Sequence, residues 1–132
     1  METKNTKKRI ILVEDDPAIT DVYGVAFKNS NMSLEVINSG EQAIQKIKES
    51  SENGEGAPDL ILLDLILPDI NGIEVLKAIK VDEKTKGIKV FVLSNQTSLN
   101  LSQSETIKPD KYIIKADITP TQLVKMVEEE IK

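Results

Sequence analysis

One carboxylate interrupts the most apolar stretch of the chain. Asp64 follows the four apolar residues 60–63, and the apolar run continues on its other side as far as Pro68. Burying an uncompensated charge costs several kcal/mol, so packing alone does not explain an aspartate at this place. Carboxylates can act as nucleophiles, for example toward phosphoryl groups. We therefore interpret Asp64 as a functional residue at the carboxyl end of a buried strand.

Polar side chains also follow three other predicted strands. Glu14 and Asp15 come after the first strand, Ser94 ends the fourth and Lys115 follows the fifth. Parallel strands present their carboxyl ends at one edge of a sheet, where open α/β sheets bind ligands. Clustered carboxylates raise one another's pKa unless a cation neutralises them, and oxygen ligands favour Mg²⁺, Ca²⁺ or Mn²⁺. The set predicts that Asp64 receives a phosphoryl group, with Lys115 as a point charge beside it.

Composition restricts the other chemistries that are open to the chain. Its 132 residues include no Cys and no His, which excludes disulfides, zinc–thiolate sites and imidazole as base or metal ligand. The net charge of −5 argues against nucleic-acid binding through a basic surface. No run has the length of a membrane span or the form of a signal peptide. We expect a cytoplasmic protein with a flexible tail over 1–8 and one domain over 9–132.

Helix-capping residues follow four of the predicted strands. A short polar N-cap with a proline or a Glu or Gln partner predicts where each helix begins. These residues are Asp16 with Pro17, Ser39 with Gln42, Asn71 with Glu74, and Thr119 with Pro120 and Gln122. Another helix is predicted within the segment 95–108, whose Ser, Thr and Asn residues compete with helical hydrogen bonds.

Strand and helix alternate five times along the chain. This alternation predicts an α/β fold in which helices cover both faces of a parallel sheet. We expect a flavodoxin-like, doubly wound sheet of five strands in the order 2-1-3-4-5, with five helices. The first and third strands are then neighbours. The apolar face of the first helix is expected to comprise Ile19, Val22, Ala26 and Phe27.

The chain resembles the receiver domain of two-component response regulators over residues 9–131. The motifs that carry the resemblance are VEDD at 13–16, LLDLILPDING around Asp64, VLSN at the end of the fourth strand and YIIK at the end of the fifth. Each motif alone is weak, whereas the ordered set at these spacings is specific. The likeness is to the stand-alone receivers of chemotaxis and phosphorelays, and it implies a chain without an output domain.

The resemblance implies roles for the acidic residues and the lysine. Asp64 is in the position of the phosphoacceptor. Glu14 and Asp15 match the acidic pair that holds Mg²⁺ (or Mn²⁺), with Asp15 as a direct ligand, and Ile66 lies where a backbone carbonyl completes the metal shell. Lys115 matches the lysine that contacts the phosphoryl group.

The resemblance also implies which residues respond to phosphorylation and which set its lifetime. Ser94 matches the switch hydroxyl, and Tyr112 matches the aromatic residue that moves inward when the hydroxyl shifts. Ile66 and Gln96 are in positions that tune the phosphoryl lifetime. Some residues depart from the pattern: Ala116 stands where proline is usual, Asn95 where a small residue is usual, and Lys108 and Pro109 where Gly-Ala is common.

The partners implied by the family are proteins. The donor is a phosphohistidine on a sensor histidine kinase or a histidine phosphotransfer protein, and the receiver catalyses the transfer to itself and its own dephosphorylation, with no independent metabolic activity. The output is expected through a downstream protein target, or a homodimer, at the face made by the fourth helix, fifth strand and fifth helix. Neither nucleic acid nor membrane is expected as a direct partner.

Two alternative functions remain open from the sequence. A pseudo-receiver keeps the fold as a binding module without phosphoryl turnover, which the residues Ala116 and Asn95 motivate. A haloacid dehalogenase-type phosphatase also uses a strand-end aspartate. That family needs a second aspartate two residues later, where this chain has Ile66.

Overall fold

Five parallel strands alternate with helices along the chain. The computed structural model describes residues 7–52, 56–95 and 107–132. The elements are β1 (Lys8–Val13), α1 (Pro17–Lys28), β2 (Met32–Ile37), α2 (Gly40–Glu52), β3 (Leu60–Asp64), α3 (Gly72–Val81), β4 (Lys89–Ser94), β5 (Lys111–Ile114) and α4 (Pro120–Glu130). A single 3₁₀ turn, Lys115–Asp117, follows β5. Among these elements, no helix has the length and apolarity that a membrane crossing requires.

The strand order is the predicted one. The sheet runs β2-β1-β3-β4-β5, and every neighbouring pair is parallel. β1 and β3 lie side by side, with Val13 opposite Leu63. Asp64 lies opposite Leu93 on the other side of β3. The carboxyl ends of the two strands that carry the acidic residues therefore meet at one edge.

The described part of the chain contains four α-helices rather than the predicted five. They correspond to the first, second, third and fifth predicted helices, so α4 is the predicted fifth helix. The predicted fourth helix falls almost wholly on residues 96–106, which lie outside the described ranges.

Two apolar cores lie on opposite faces of the sheet, because successive side chains of a strand point to opposite sides. One face packs against α2 and α3; its buried residues include Ile11, Val13, Ile61, Leu63, Val90, Val92, Ile47, Val75, Leu76 and Ile79. The other packs against α1 and α4; its buried residues include Ile10, Leu12, Leu60, Leu62, Phe91, Leu93, Phe27, Leu123 and Val127. β1, β3 and β4 are apolar on both faces, as central parallel strands should be.

Three helices begin as their capping residues predict. The Asp16 side chain accepts a hydrogen bond from the Ala18 amide at 3.0 Å, and Asn71 accepts one from Ile73 at 2.9 Å. Thr119 and Gln122 form a complete capping box at α4. In each case a side-chain oxygen satisfies an amide that has no partner within the helix.

Helix α2 has the predicted serine cap and a second cap that comes from far along the chain. The Ser39 hydroxyl accepts a hydrogen bond from the Gln42 amide at 3.2 Å. The carboxylate of Asp69 accepts bonds from the amides of Gly40 and Glu41, both at 2.9 Å, and from the Ser39 hydroxyl at 2.7 Å. The loop after β3 is thereby tied to the start of α2.

The expected apolar face of α1 was wrong at one position. Val22 is 51% exposed, whereas Tyr23, which was not expected in the core, is only 6% exposed. Ile19 and Ala26 pack as partly buried residues against the core that contains Phe27. The helix is rotated so that the aromatic ring of Tyr23, which has more apolar surface than a valine, takes the buried position.

Gly72 lies where no side chain fits. A Cβ at this residue would be 2.4 Å from the carbonyl oxygen of Asp64 and 2.5 Å from the Cα of Leu65. The Gly72 amide donates a 2.8 Å hydrogen bond to the Leu65 carbonyl. The first turn of α3 thus rests directly on the backbone that carries Asp64.

We predict opposite effects of alanine at two glycines. Gly72→Ala should lower the free energy of unfolding by about 1–3 kcal/mol, because backbone must shift to admit the methyl group. Gly24→Ala, in the interior of α1 with nothing within 4 Å of the added Cβ, should raise it by about 0.5–1 kcal/mol. Urea unfolding measures both. Equal effects at the two glycines would contradict the close contact at Gly72.

Candidate functional site

Strand periodicity brings three charged residues to the same side of the sheet. Glu14 continues the series of Ile10 and Leu12 in β1, Asp64 continues that of Leu60 and Leu62 in β3, and Lys115 follows Ile113 of β5 by two residues. All three series line the core shared with α1 and α4. Since β1 and β3 are neighbours, the carboxylates emerge side by side at the sheet edge.

Lys115 forms ion pairs with both buried carboxylates. Its Nζ donates to Glu14 Oε1 at 2.8 Å and lies 3.4 Å from Asp64 Oδ2. Glu14 is 1% exposed and Asp64 6%, and the Lys115 side chain is 11% exposed. A buried charge requires a partner of opposite sign, and Lys115 supplies one for both acids.

A third carboxylate, from Asp15, completes an acidic cluster. One oxygen from each of Glu14, Asp15 and Asp64 lies within 4.8 Å of the others. Asp15 is exposed, so the cluster opens to solvent on its side. With the ammonium of Lys115, the three carboxylates leave two uncompensated negative charges. Hard oxygen donors with that charge suit a divalent cation such as Mg²⁺ or Mn²⁺.

Burial and neighbouring charges shift the pKa values of the paired residues. Burial raises the pKa of Glu14, and the negative charge of Asp64 adds to this, although the bond from Lys115 opposes it. For Lys115, burial favours the neutral amine, but the Glu14 hydrogen bond and the charge of Asp64 outweigh it and raise its pKa. Lys115 therefore stays protonated at neutral pH.

The loop after Asp64 contributes backbone groups. The Ile66 amide donates to Asp64 Oδ1 at 3.3 Å, which fixes one carboxylate oxygen and leaves the other toward Lys115. The Ile66 side chain is 61% exposed. The role of its carbonyl as a metal ligand stays a prediction.

Ser94 and Tyr112 lie on the opposite face from the charged residues. Ser94 is 1% exposed at the end of β4. Tyr112 is opposite Val92 in the register and packs, partly buried, against the core under α2 and α3. Val92 and Ser94 alternate to the same face, so the hydroxyl and the aromatic ring share one side of the sheet. Gln96 lies outside the described ranges.

An open pocket borders Lys115. It has a volume of about 450 Å³ and is lined by Val22, Tyr23, Asn95, Lys115 and Ala116 among others. Burial raises the pKa of the Tyr23 phenol.

The alanine at position 116, where proline is usual, does not turn Lys115 away from the site. Every peptide bond in the described ranges is trans, including the one before Ala116, and Lys115 reaches both carboxylates.

Three residues near the site were not singled out from the sequence. Tyr23 was missed because the helix pattern permits Val22 as well, and Gly72 because a close contact has no local pattern. Asp69 was missed because its partners on α2 are 28–30 residues away. The only signal was the position of Asp69 and Gly72 in the polar turn after Pro68.

Comparison with known proteins identifies the family. A family model described as "Response regulator receiver domain" matches residues 10–128. The chain belongs to this family. A curated relative, the DNA-binding response regulator MtrA of Mycolicibacterium smegmatis, is 28% identical over 127 residues, which are 96% of this chain and 51% of MtrA. The receiver thus spans about half the length of that relative.

Solved receiver structures have the same fold. The phosphorylated cyanobacterial phytochrome response regulator RcpA superposes with a TM-score of 0.81 at 33% identity, covering 96% of this chain and 94% of RcpA. The Mn²⁺-bound form of response regulator Rcp1 has a TM-score of 0.75 at 32% identity, covering 92% and 90%.

The family places this receiver in two-component signalling, in which the domain is phosphorylated on an aspartate. Receiver domains take the phosphoryl group from histidine kinases or phosphotransfer proteins. The described residues give no support to the pseudo-receiver alternative, since the acids and Lys115 converge. The dehalogenase alternative does not fit the family match, and the second aspartate that it needs is absent from position 66, which is an isoleucine.

We predict that removing the Lys115 charge destabilises the receiver. In a metal-free buffer, Lys115→Met should lower the free energy of unfolding by about 3–5 kcal/mol, because two buried carboxylates lose their cation. Lys125→Met, on the exposed side of α4, should change it by about 0.5 kcal/mol or less. Urea unfolding measures both, and equal values for the two variants would contradict the ion pairs.

The loss in Lys115→Met should depend on pH. Glu14 has a folded-state pKa above its ordinary 4.5, and removal of the ammonium raises it further. The folded variant therefore binds this proton at higher pH than the unfolded chain does, so its stability rises as pH falls through the folded-state pKa toward 4.5. The difference from the parent should shrink over the same interval.

Proposed function

We propose that this receiver accepts a phosphoryl group on Asp64 from a phosphohistidine, with a divalent cation held by the acidic cluster. The observation that carries the proposal is the convergence of the carboxylates of Glu14, Asp15 and Asp64, two of which pair with Lys115. Phosphoryl transfer requires chiefly positioning and charge neutralisation from the protein, and these four side chains supply both.

The transfer itself follows from the position of the carboxylate. An oxygen of Asp64 attacks the phosphorus atom, the phosphorus–nitrogen bond breaks, and its electron pair stays on the imidazole nitrogen of the donor. Asp64 thereby becomes an acyl phosphate. Lys115, 3.4 Å from Asp64 Oδ2, is placed to pair with an oxygen of the incoming group. Attack of water on the same phosphorus later returns the free carboxylate.

The cation would be held by the carboxylates of Glu14, Asp15 and Asp64 and by the backbone carbonyl of Ile66. When bound, Mg²⁺ or Mn²⁺ neutralises the charge that the phosphoryl oxygens bring and orients them for in-line attack. The similarity to Rcp1, which was solved with Mn²⁺, supports this assignment. The exposed Asp15 leaves solvent access through which the ion can enter.

The partner that carries the phosphohistidine must reach Asp64 from outside. The pocket beside Lys115 is open and bordered by the apolar side chains of Val22 and Ala116. A protein surface that presents an imidazole there would bury these side chains while the phosphoryl group meets the ammonium. This is the approach that we propose for a sensor histidine kinase or a histidine phosphotransfer protein, within the cytoplasm.

The conformational response to phosphorylation would use Ser94 and Tyr112, on the opposite face of the sheet from the charged residues. Ser94 ends β4 one strand away from Asp64, so its hydroxyl is near enough to the sheet edge to respond to a new phosphoryl group. Movement of Ser94 would open space for Tyr112 on the same face and shift an existing two-state equilibrium. The changed surface around β5 and α4 would then bind a downstream protein or a second copy of the chain.

We predict that the receiver phosphorylates itself on Asp64. Incubation with phosphoramidate and MgCl₂ should add one phosphoryl group to the intact mass, and omission of the metal with a chelator should abolish the adduct. The charge of the acidic cluster then remains uncompensated and repels the donor. Asp64→Asn should give no adduct.

The matched control is Asp59→Asn. Asp59 precedes the same strand but lies at the opposite end of it, where its side chain accepts a 2.8 Å bond from the Arg9 amide. This variant should be phosphorylated like the parent. An unmodified parent, or an adduct that persists in Asp64→Asn, would disprove the assignment.

A further inference from the structure

The segment between Asp64 and α3 has to hold Ile66 in place without help from its side chain. Ile66 is 61% exposed, so packing of the isoleucine itself does not fix the backbone. Its amide nevertheless bonds to the phosphoacceptor carboxylate at 3.3 Å, and its carbonyl is the proposed metal ligand. Leu65 is buried and Leu67 and Ile70 pack against the core, so the loop 65–71 is anchored by the neighbours of Ile66 and by any polar contact that adds to them.

Asp69 supplies a polar anchor for this loop. It is exposed, yet its carboxylate accepts three hydrogen bonds, from the Ser39 hydroxyl at 2.7 Å and from the amides of Gly40 and Glu41 at 2.9 Å. The amide bonds from Glu41 and Gly40, with that from Ser39, hold the pKa of Asp69 well below its usual range. The carboxylate therefore stays charged at the positive end of the α2 dipole.

Packing supports the same attachment. A Cβ at Gly40 would lie 2.6 Å from Ile70 Cγ1 and 3.0 Å from Val75 Cγ2, so the start of α2 touches the residue after Asp69. Gly72, directly after the loop, rests on the backbone of Asp64 and Leu65. The carboxyl-terminal half of the loop is therefore held against α2 and against the backbone that carries Asp64, and Ile66 lies between Asp64 and this half.

We propose that Asp69 is a positioning residue for the phosphorylation site, which anchors the loop to α2 so that the Ile66 backbone faces the cation and Asp64. The inference rests on the proposed function, because one of its tests measures Mg²⁺ binding at the proposed site. It assigns to Asp69 an effect on the site, beyond its effect on the stability of α2. The two effects are separable, since a cap that only stabilises a helix leaves metal affinity unchanged.

The test compares Asp69→Ala with Asp110→Ala, a variant that loses a similarly hydrogen-bonded carboxylate at the opposite end of the sheet. Asp110 precedes β5 and accepts bonds from the Val90 amide at 2.7 Å and from Lys80 at 3.1 Å. Asp110→Ala should therefore lower stability without touching the site. Calorimetric titration with MgCl₂ gives the affinity of each folded variant, and amide hydrogen exchange by NMR reports on Ile66 directly.

We expect Asp69→Ala to weaken Mg²⁺ binding by about tenfold, at the lower end of what loss of a supporting residue costs a metal site. The Ile66 amide should exchange faster in this variant only. Asp69→Asn should bind Mg²⁺ with an affinity between those of the parent and Asp69→Ala, because asparagine keeps one acceptor oxygen but turns an NH₂ group, which cannot accept, toward one of the two amides. Asp110→Ala should bind Mg²⁺ as the parent does.

The proposal is overturned if Asp69→Ala matches Asp110→Ala in both Mg²⁺ affinity and Ile66 exchange. A parent that binds Mg²⁺ but takes no phosphoryl group would disprove the proposed function. The positioning role of Asp69 would still stand if Asp69→Ala weakened Mg²⁺ binding. If the parent binds no Mg²⁺, the exchange of Ile66 alone decides: faster exchange confined to Asp69→Ala supports the positioning role, and unchanged exchange rejects it.

Discussion

A single ammonium group between two buried carboxylates holds the site of this receiver together. Lys115 pairs with Glu14 at 2.8 Å and with Asp64 at 3.4 Å, and so connects the ends of three strands that are far apart in sequence. Without the lysine, two acids with almost no solvent contact would repel each other in a medium of low polarity. The same pairing leaves the cluster with an excess negative charge, which a divalent cation can satisfy. The predicted stability of the site and its proposed function therefore rest on one electrostatic arrangement.

The parallel sheet separates the charged residues of the site from the residues of the proposed conformational response. Glu14, Asp64 and Lys115 belong to the face that α1 and α4 cover, whereas Ser94 and Tyr112 share the face of α2 and α3. A phosphoryl group at the edge of the sheet can contact side chains from both faces, since the carboxyl ends of all strands meet there. The proposed phosphorylation and the proposed conformational response would thus occur next to each other, on separate packed layers.

Much of this site was predictable from the sequence because strands impose a strict alternation. An aspartate at the end of an apolar run, with acids and a lysine at the ends of other runs, has few explanations other than convergence at one edge. The regular order of strands and helices indicated a parallel sheet covered on both faces, and the strand order is one that doubly wound folds of this kind commonly have. Helix faces are less strictly determined: Val22 and Tyr23 are adjacent in α1, and tertiary packing selected the tyrosine.

Contacts that strand alternation does not impose were beyond prediction. Asp69 caps a helix that begins some 30 residues earlier, and Gly72 is required by the backbone of Asp64. Neither contact has a local sequence pattern, since each depends on how the loop after β3 folds back on its neighbours. These contacts nevertheless lie on the loop that follows Asp64.

The central ion pair is tested most directly by NMR detection of the Lys115 ammonium at neutral pH. Nitrogen-15 spectra of lysine side chains should show one slowly exchanging ammonium signal that is absent in Lys115→Met and weakened in Asp64→Asn, because the group is buried and bonded to Glu14. Ammonium protons of Lys115 that exchange as fast as those of exposed lysines, whether or not Asp64 is present, would contradict the account.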